Sequence, residues 1–109
     1  MPRFMLNGTY TQAGISGTIS ETLTARTKAV KKHVEALGGK LVGMYWTTAA
    51  RDSLVIVEFP DASGAIALAT TVKAAGAADF DIVRLMDGPE FDATQAVAAK
   101  KLKYRAPGK

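Results

Sequence analysis

The 109-residue chain has no cysteine, a single histidine and no apolar run near the roughly 20 residues of a membrane span. Without cysteine there is no disulfide, no thiol nucleophile and no cysteine-ligated metal site. The N-terminal residues lack the long apolar segment and cleavage site of a secretory signal. These absences predict a cytoplasmic protein with no membrane partner, stabilised by one hydrophobic core.

Acidic residues are absent from the last ten positions, so the basic residues there are not balanced and produce the net charge of +4. That segment holds five of the 14 basic residues, so residues 1–99 carry nine basic and ten acidic side chains. A nucleic-acid-binding domain usually spreads Lys and Arg over a folded face, and this chain does not. We expect a neutral body, a solvated basic end and no nucleic-acid partner. A phosphate or acidic partner for the tail is the alternative.

The predicted elements follow the order strand, helix, strand, strand, helix, strand. Two βαβ units around a hairpin predict an α+β ferredoxin-like sandwich, with a four-stranded antiparallel sheet and two helices on one face. This domain spans residues 1–88, and residues 89–109 form a C-terminal extension, partly helical with a basic end. Gly14 and Gly17 predict an irregular stretch before the first helix. The elements are expected at 3–10, 19–37, 41–47, 54–59, 61–75 and 78–86.

Both faces of the predicted sheet are apolar, although helices cover only one of them. Strict alternation in the second strand separates Leu41, Gly43 and Tyr45 from Val42, Met44 and Trp46. In the third strand we assign Val55, Val57 and Phe59 to the helix side and Leu54, Ile56 and Glu58 to the open side. We place Trp46 with Ile56 on the open side. An exposed apolar face predicts a partner, and a second copy predicts a homodimer or higher homo-oligomer.

Several segments resemble the GYD domain family, small bacterial proteins of the dimeric α/β-barrel group of ferredoxin-like folds. The resemblance rests on residues 10–14 (Tyr-Thr-Gln-Ala-Gly), 36–41 (Ala-Leu-Gly-Gly-Lys-Leu), 45–47 (Tyr-Trp-Thr), Asp52 and 58–61 (Glu-Phe-Pro-Asp). It covers most of residues 4–75 and implies the fold and dimerisation rather than a chemistry. Where the family carries Gly-Tyr-Asp, this chain has Ala-Arg-Asp at 50–52. A ligand site shaped by that glycine and tyrosine would be altered here.

Polar side chains at three positions are candidates for a ligand site, each with a structural alternative. His33 lies at the edge of the first helix's apolar stripe and lacks the partners of a metal site, so no metal is predicted. Arg51, oriented by Asp52 at the hairpin turn, is suited to a carboxylate or phosphate. Alternatively, Asp52 bonds local backbone donors of the turn.

Glu58 interrupts an apolar strand. If it is buried, it requires either a cation, Arg3 or Arg84, or a raised pKa. The remaining candidates line a cavity between sheet and helices or between paired sheets, or belong to the core or interface: Asn7, Tyr10, Tyr45 and Trp46.

No phosphate loop, nucleophile elbow or useful carboxylate pair is present, and no cofactor is predicted. The leading interpretation is a homodimeric small-ligand-binding or non-catalytic module. One alternative is a cofactor-independent oxygenase or isomerase acting on a small aromatic or apolar compound, and another is a structural subunit of a larger assembly. A buried acid–base pair would favour the enzyme, and its candidate members are Glu58, His33, Arg51 and Asp52.

Overall fold

A computed structural model describes all residues from Met1 to Lys109. The sheet has the strand order β2-β3-β1-β4, and every pair of neighbouring strands is antiparallel. This topology confirms the predicted α+β ferredoxin-like fold. The elements are β1 (Arg3–Tyr10), α1 (Gln12–Glu21), α2 (Leu23–Ala36), β2 (Lys40–Trp46), β3 (Ser53–Glu58), α3 (Ala62–Ala74), β4 (Ala78–Leu85) and α4 (Gly88–Lys101).

The core lies between the two central strands and the helices α2 and α3. Alternate residues of β1 and β3 point into it, as period-two burial requires. The predicted helix-side assignment of Val55, Val57 and Phe59 is confirmed. Alanines bring α3 close to the sheet, and Gly64 of α3 has no room for a Cβ beside the Phe59 ring. The buried cluster comprises Phe4, Leu6, Val30, Val34, Val55, Val57, Phe59, Ala65, Leu68 and Ala69.

The prediction of an irregular stretch before the first helix is wrong, because residues 12–21 form the additional helix α1. The Thr11 hydroxyl caps this helix by accepting a hydrogen bond from Gly14 N at 2.9 Å. Gly14 also packs directly against the backbone of Ala77, where a Cβ would clash. At Thr22 a positive φ of 89° separates α1 from α2. Ile19, the first residue of the helix predicted at 19–37, therefore lies on α1 and is 75% exposed.

A β-bulge between Leu41 and Gly43 changes which residues of β2 face the helices. After the bulge, Met44 pairs with Val55 and Trp46 pairs with Ser53, so both lie on the helix side. Tyr45 pairs with Leu54 on the open side. The placement of Trp46 on the open face is therefore wrong, since strict alternation does not account for one extra residue. Ile56 and Glu58 do lie on the open face.

The molecule measures 56 × 32 × 23 Å, and helix α4 has no buried residue. It begins where the Asp87 carboxylate accepts a hydrogen bond from Glu90 N at 2.9 Å. Glu90 in turn pairs with Arg84 of β4 at 2.6 Å. Phe91, Val97 and the tail beyond the helix are exposed. No helix in the protein is both long enough and apolar enough to cross a bilayer.

Candidate functional site

A cavity of about 270 Å³ lies between the helix side of the sheet and the ends of α1, α2 and α3. Its floor is formed by residues of all four strands, and its walls by the three helices. Most of the lining is apolar, including Leu6, Val30, Val55, Val72 and Phe80. This volume is just below the range typical of ligand pockets, so the cavity suits a small molecule.

Two buried hydroxyl groups line the cavity, and they differ in their hydrogen bonds. Thr18 of α1 is 7% exposed and donates to the Gly14 carbonyl one turn earlier, at 2.9 Å. Ser53 at the start of β3 is fully buried, and its Oγ has no hydrogen-bond partner. A buried hydroxyl without a partner is costly and rare in folded proteins. Ser53 is therefore a lining residue whose hydroxyl is left without a partner.

Glu21 and Arg26 also line the cavity, on either side of the break between α1 and α2. The positive φ at Thr22 ends α1, and the Thr22 hydroxyl accepts a hydrogen bond from Ala25 N to begin α2. The Glu21 carboxylate and Arg26 guanidinium are 3.8 Å apart, too far for a hydrogen bond. They form a loosely paired polar edge on a mainly apolar cavity.

Of the residues predicted from sequence, Tyr10 alone lines this cavity. Trp46 and Asp52 lie in a more open groove beside it, next to Ile15, Ile19 and Leu23. The Asp52 carboxylate accepts a hydrogen bond from Tyr10 N at 3.1 Å. It bonds a donor on β1, so the expectation of local turn donors is wrong.

Asn7, Tyr45 and Arg51 belong to the open face of the sheet. The Arg51 guanidinium donates to the Asn7 carbonyl at 2.6 Å and lies 3.1 Å from the Asp81 carboxylate of β4. Its acidic partner is therefore Asp81 and not the adjacent Asp52. The side-chain oxygen of Asn7 is buried without a partner. Tyr45 is 55% exposed.

Glu58 forms an ion pair with Arg3 across the β1–β3 ladder, with 2.9 Å between Oε2 and Nη2. The hydrogen bond from Arg3 lowers the pKa of the Glu58 carboxyl and outweighs desolvation, which acts to raise it. The structure thus selects the ion pair with Arg3 rather than a raised pKa. Arg84, the other candidate cation, pairs with Glu90.

The four residues considered for an acid–base pair are not brought together. Glu58 pairs with Arg3 and Arg51 with Asp81, while Asp52 bonds a backbone amide. His33 is exposed in the last turn of α2. No group of three or more His, Asp or Glu side chains is placed to hold a metal ion.

The family model of the GYD domain matches residues 4–94. The chain belongs to the GYD domain family. The matched residues run from β1 to the middle of α4, and they extend beyond residues 4–75, where the resemblance was seen. No curated protein and no solved structure matches the sequence.

Sequence reasoning missed the polar residues of this GYD domain's cavity, namely Thr18, Glu21, Arg26 and Ser53. One signal for Ser53 was available. The helix-side positions of β3 and the residue after it read Ser53, Val55, Val57 and Phe59, and the serine alone is polar. A polar residue at an inward position of a strand indicates either a hydrogen-bonded core group or a site. Thr18 and Glu21 lie on α1, whose presence was not predicted, and Arg26 lies on α2 just after the break between the two helices.

Proposed function

We propose that this GYD-domain protein is a homodimeric module that binds a small, mainly apolar molecule in the cavity between its sheet and helices. The single observation that carries the proposal is the unpaired Ser53 hydroxyl, fully buried in an apolar cavity. A ligand with one hydroxyl, carbonyl or amide group would complete the hydrogen bonding of Ser53 and fill the remaining apolar space. The absence of an assembled acid–base pair favours binding over catalysis.

The dimer is proposed through the open face of the sheet. Its centre is apolar, with Met5, Leu54, Ile56 and Val83 side by side on three strands. Charges on this face are paired within it: Arg3 bonds Glu58 at the start of β1, and Arg51 lies against Asp81, which is opposite Asn7. A neutral face with an apolar centre is self-complementary about a two-fold axis, which favours a second copy as its cover.

Titration with phenylacetamide, observed by ¹H–¹⁵N NMR, tests the cavity. Saturable shifts are expected at residues lining the cavity, such as Tyr10, Thr18 and Ser53. Val72→Phe places a ring in the cavity and is expected to abolish these shifts. Ile66→Phe is the matched control, because Ile66 lies on the same helix but is 52% exposed and outside the cavity. Absence of saturable binding, or equal binding by both variants, would contradict the proposal.

Sedimentation equilibrium tests the dimer. The wild type is expected to associate at micromolar concentration, burying on the order of 800 Å² per partner. Ile56→Lys places a charge in the middle of the open face and is expected to produce monomer. Ile66→Lys, on the exposed side of α3, should leave association unchanged. A wild type that stays monomeric at every accessible concentration would rule out this interface.

A further inference from the structure

We infer that the cavity selects small apolar carboxylates, and that Arg26 is the residue that binds their carboxylate group. This inference rests on the proposed ligand-binding function and specifies the chemical class of the ligand. The ligand would place its apolar body against the cavity floor and its anionic group at the edge formed by α1 and α2.

Arg26 differs from the other arginines of the sheet and its helices in its bonding. Arg3 bonds Glu58 at 2.9 Å, and Arg84 bonds Glu90 at 2.6 Å. Arg51 bonds a carbonyl at 2.6 Å. The Arg26 guanidinium makes no hydrogen bond, although its side chain is only 34% exposed, close to the 32% of Arg84. A half-buried guanidinium with unused donors is suited to a carboxylate, which it can bind through two parallel hydrogen bonds.

The neighbouring Glu21 does not saturate Arg26. Its carboxylate stays 3.8 Å away and its side chain is 55% exposed, so it is the more solvated member of the pair. An incoming carboxylate that bonds Arg26 directly would form a shorter contact than Glu21 does. Glu21 would repel that anion only weakly, because water screens an exposed charge. This difference in exposure favours an anionic ligand at Arg26 over a cationic ligand at Glu21.

Ser53 and Arg26 together define what the ligand should look like. Ser53 is fully buried on the sheet side of the cavity, and Arg26 is partly exposed on α2. A compact molecule with a carboxylate at one end is therefore held at the edge by charge. A second polar group, placed at the buried end of the ligand, would serve as the partner that the Ser53 hydroxyl lacks.

Three matched probes, phenylacetate, phenylacetamide and phenethylamine, test the inference by NMR titration of the full chain. Phenylacetate is expected to bind about tenfold more tightly than the neutral amide, the effect of a partly screened charged hydrogen bond. The amine is expected to bind most weakly. Arg26→Gln should remove the preference for the acid while leaving the amide affinity unchanged. Glu21→Gln should keep the preference for the acid and strengthen phenylacetate binding by no more than about twofold, because the exposed Glu21 carboxylate repels the anion only weakly.

Each outcome separates this inference from the function on which it rests. Equal affinities for acid and amide would overturn the role of Arg26 but leave the cavity as a binding site. A preference for the amine would assign the anchoring role to Glu21 and overturn the inference. If none of the probes binds, both the proposed function and the inference fail. Should Arg26→Gln not fold, the wild-type probe series and Glu21→Gln still decide the question.

Discussion

Replacing Ser53 by alanine is expected to stabilise the unliganded protein, the reverse of most substitutions at fully buried positions. A buried hydroxyl without a partner costs about 1–3 kcal/mol of desolvation, and alanine removes that cost. The change also forfeits the van der Waals contacts of one oxygen atom, worth a few tenths of a kcal/mol. Since Ser53 is fully buried and its Oγ has no partner, the free energy of unfolding should rise by about 1 kcal/mol.

Thr18→Val provides the matched control, because Thr18 is a second buried hydroxyl lining the same cavity but is hydrogen-bonded. Valine has nearly the same shape as threonine but cannot donate the hydrogen bond, so the free energy of unfolding of this variant should fall by about 1 kcal/mol. Urea denaturation at one fixed protein concentration measures both changes, since association would otherwise shift the midpoints. A loss of about 1 kcal/mol or more in Ser53→Ala would refute the reasoning. It would show that the Ser53 hydroxyl is bonded in solution and stabilises the fold.

Three further predictions concern packing, charge and the C-terminal end. Gly64→Ala should lower the free energy of unfolding by about 1–3 kcal/mol, because its Cβ clashes with the buried Phe59 ring. Gly17→Ala is the control, since Gly17 has open space around it, and it should raise the free energy of unfolding by about 0.5–1 kcal/mol. Equal effects of the two substitutions in urea denaturation would contradict this. Glu58→Gln should lower the free energy of unfolding at pH values above 4.5, the ordinary carboxyl pKa. Because the pKa of Glu58 is lowered in the folded state, this difference in free energy from the wild type should shrink as the pH falls below that value. A difference independent of pH would exclude the ion pair as its cause. Removal of residues 100–109, which are all exposed, should change the free energy of unfolding by less than about 1 kcal/mol, and a larger loss would show that the tail is docked.

The strands and the larger helices were predictable because their signals are local. Alternation from Ser53 to Phe59 and the four-residue spacing of Val30 and Val34 depend only on neighbours in sequence. The same holds for the start of α3, where the Asp61 carboxylate accepts a hydrogen bond from Ser63 N. Each of these features places apolar groups on one side of a single element, and burial then follows.

Features that depend on residues distant in sequence were not predictable in this way. Helix α1 contains two glycines, Gly14 and Gly17, and glycine is a poor helix former. Gly14 is required there because the backbone of Ala77 lies too close to leave room for a Cβ. Arg51, in the turn before β3, reaches Asp81 of β4 across β1, because β3, β1 and β4 lie side by side in the sheet. The residues of the hairpin turn do not reveal this order. The cavity is harder still, since it is defined by where three helices leave space above the sheet.

The bulge in β2 determines which aromatic side chain each face of the sheet presents. Because side chains alternate with a period of two, the extra residue of the bulge reverses the face of every residue after it. Deleting Val42 would remove the bulge and leave Met44 opposite Val55 and Trp46 opposite Ser53. Pairing without a bulge but with Val42 retained would instead move Met44 and Trp46 to the open face and Tyr45 to the helix side. One inserted residue thus determines that a tyrosine, and not a tryptophan, is offered to a partner chain.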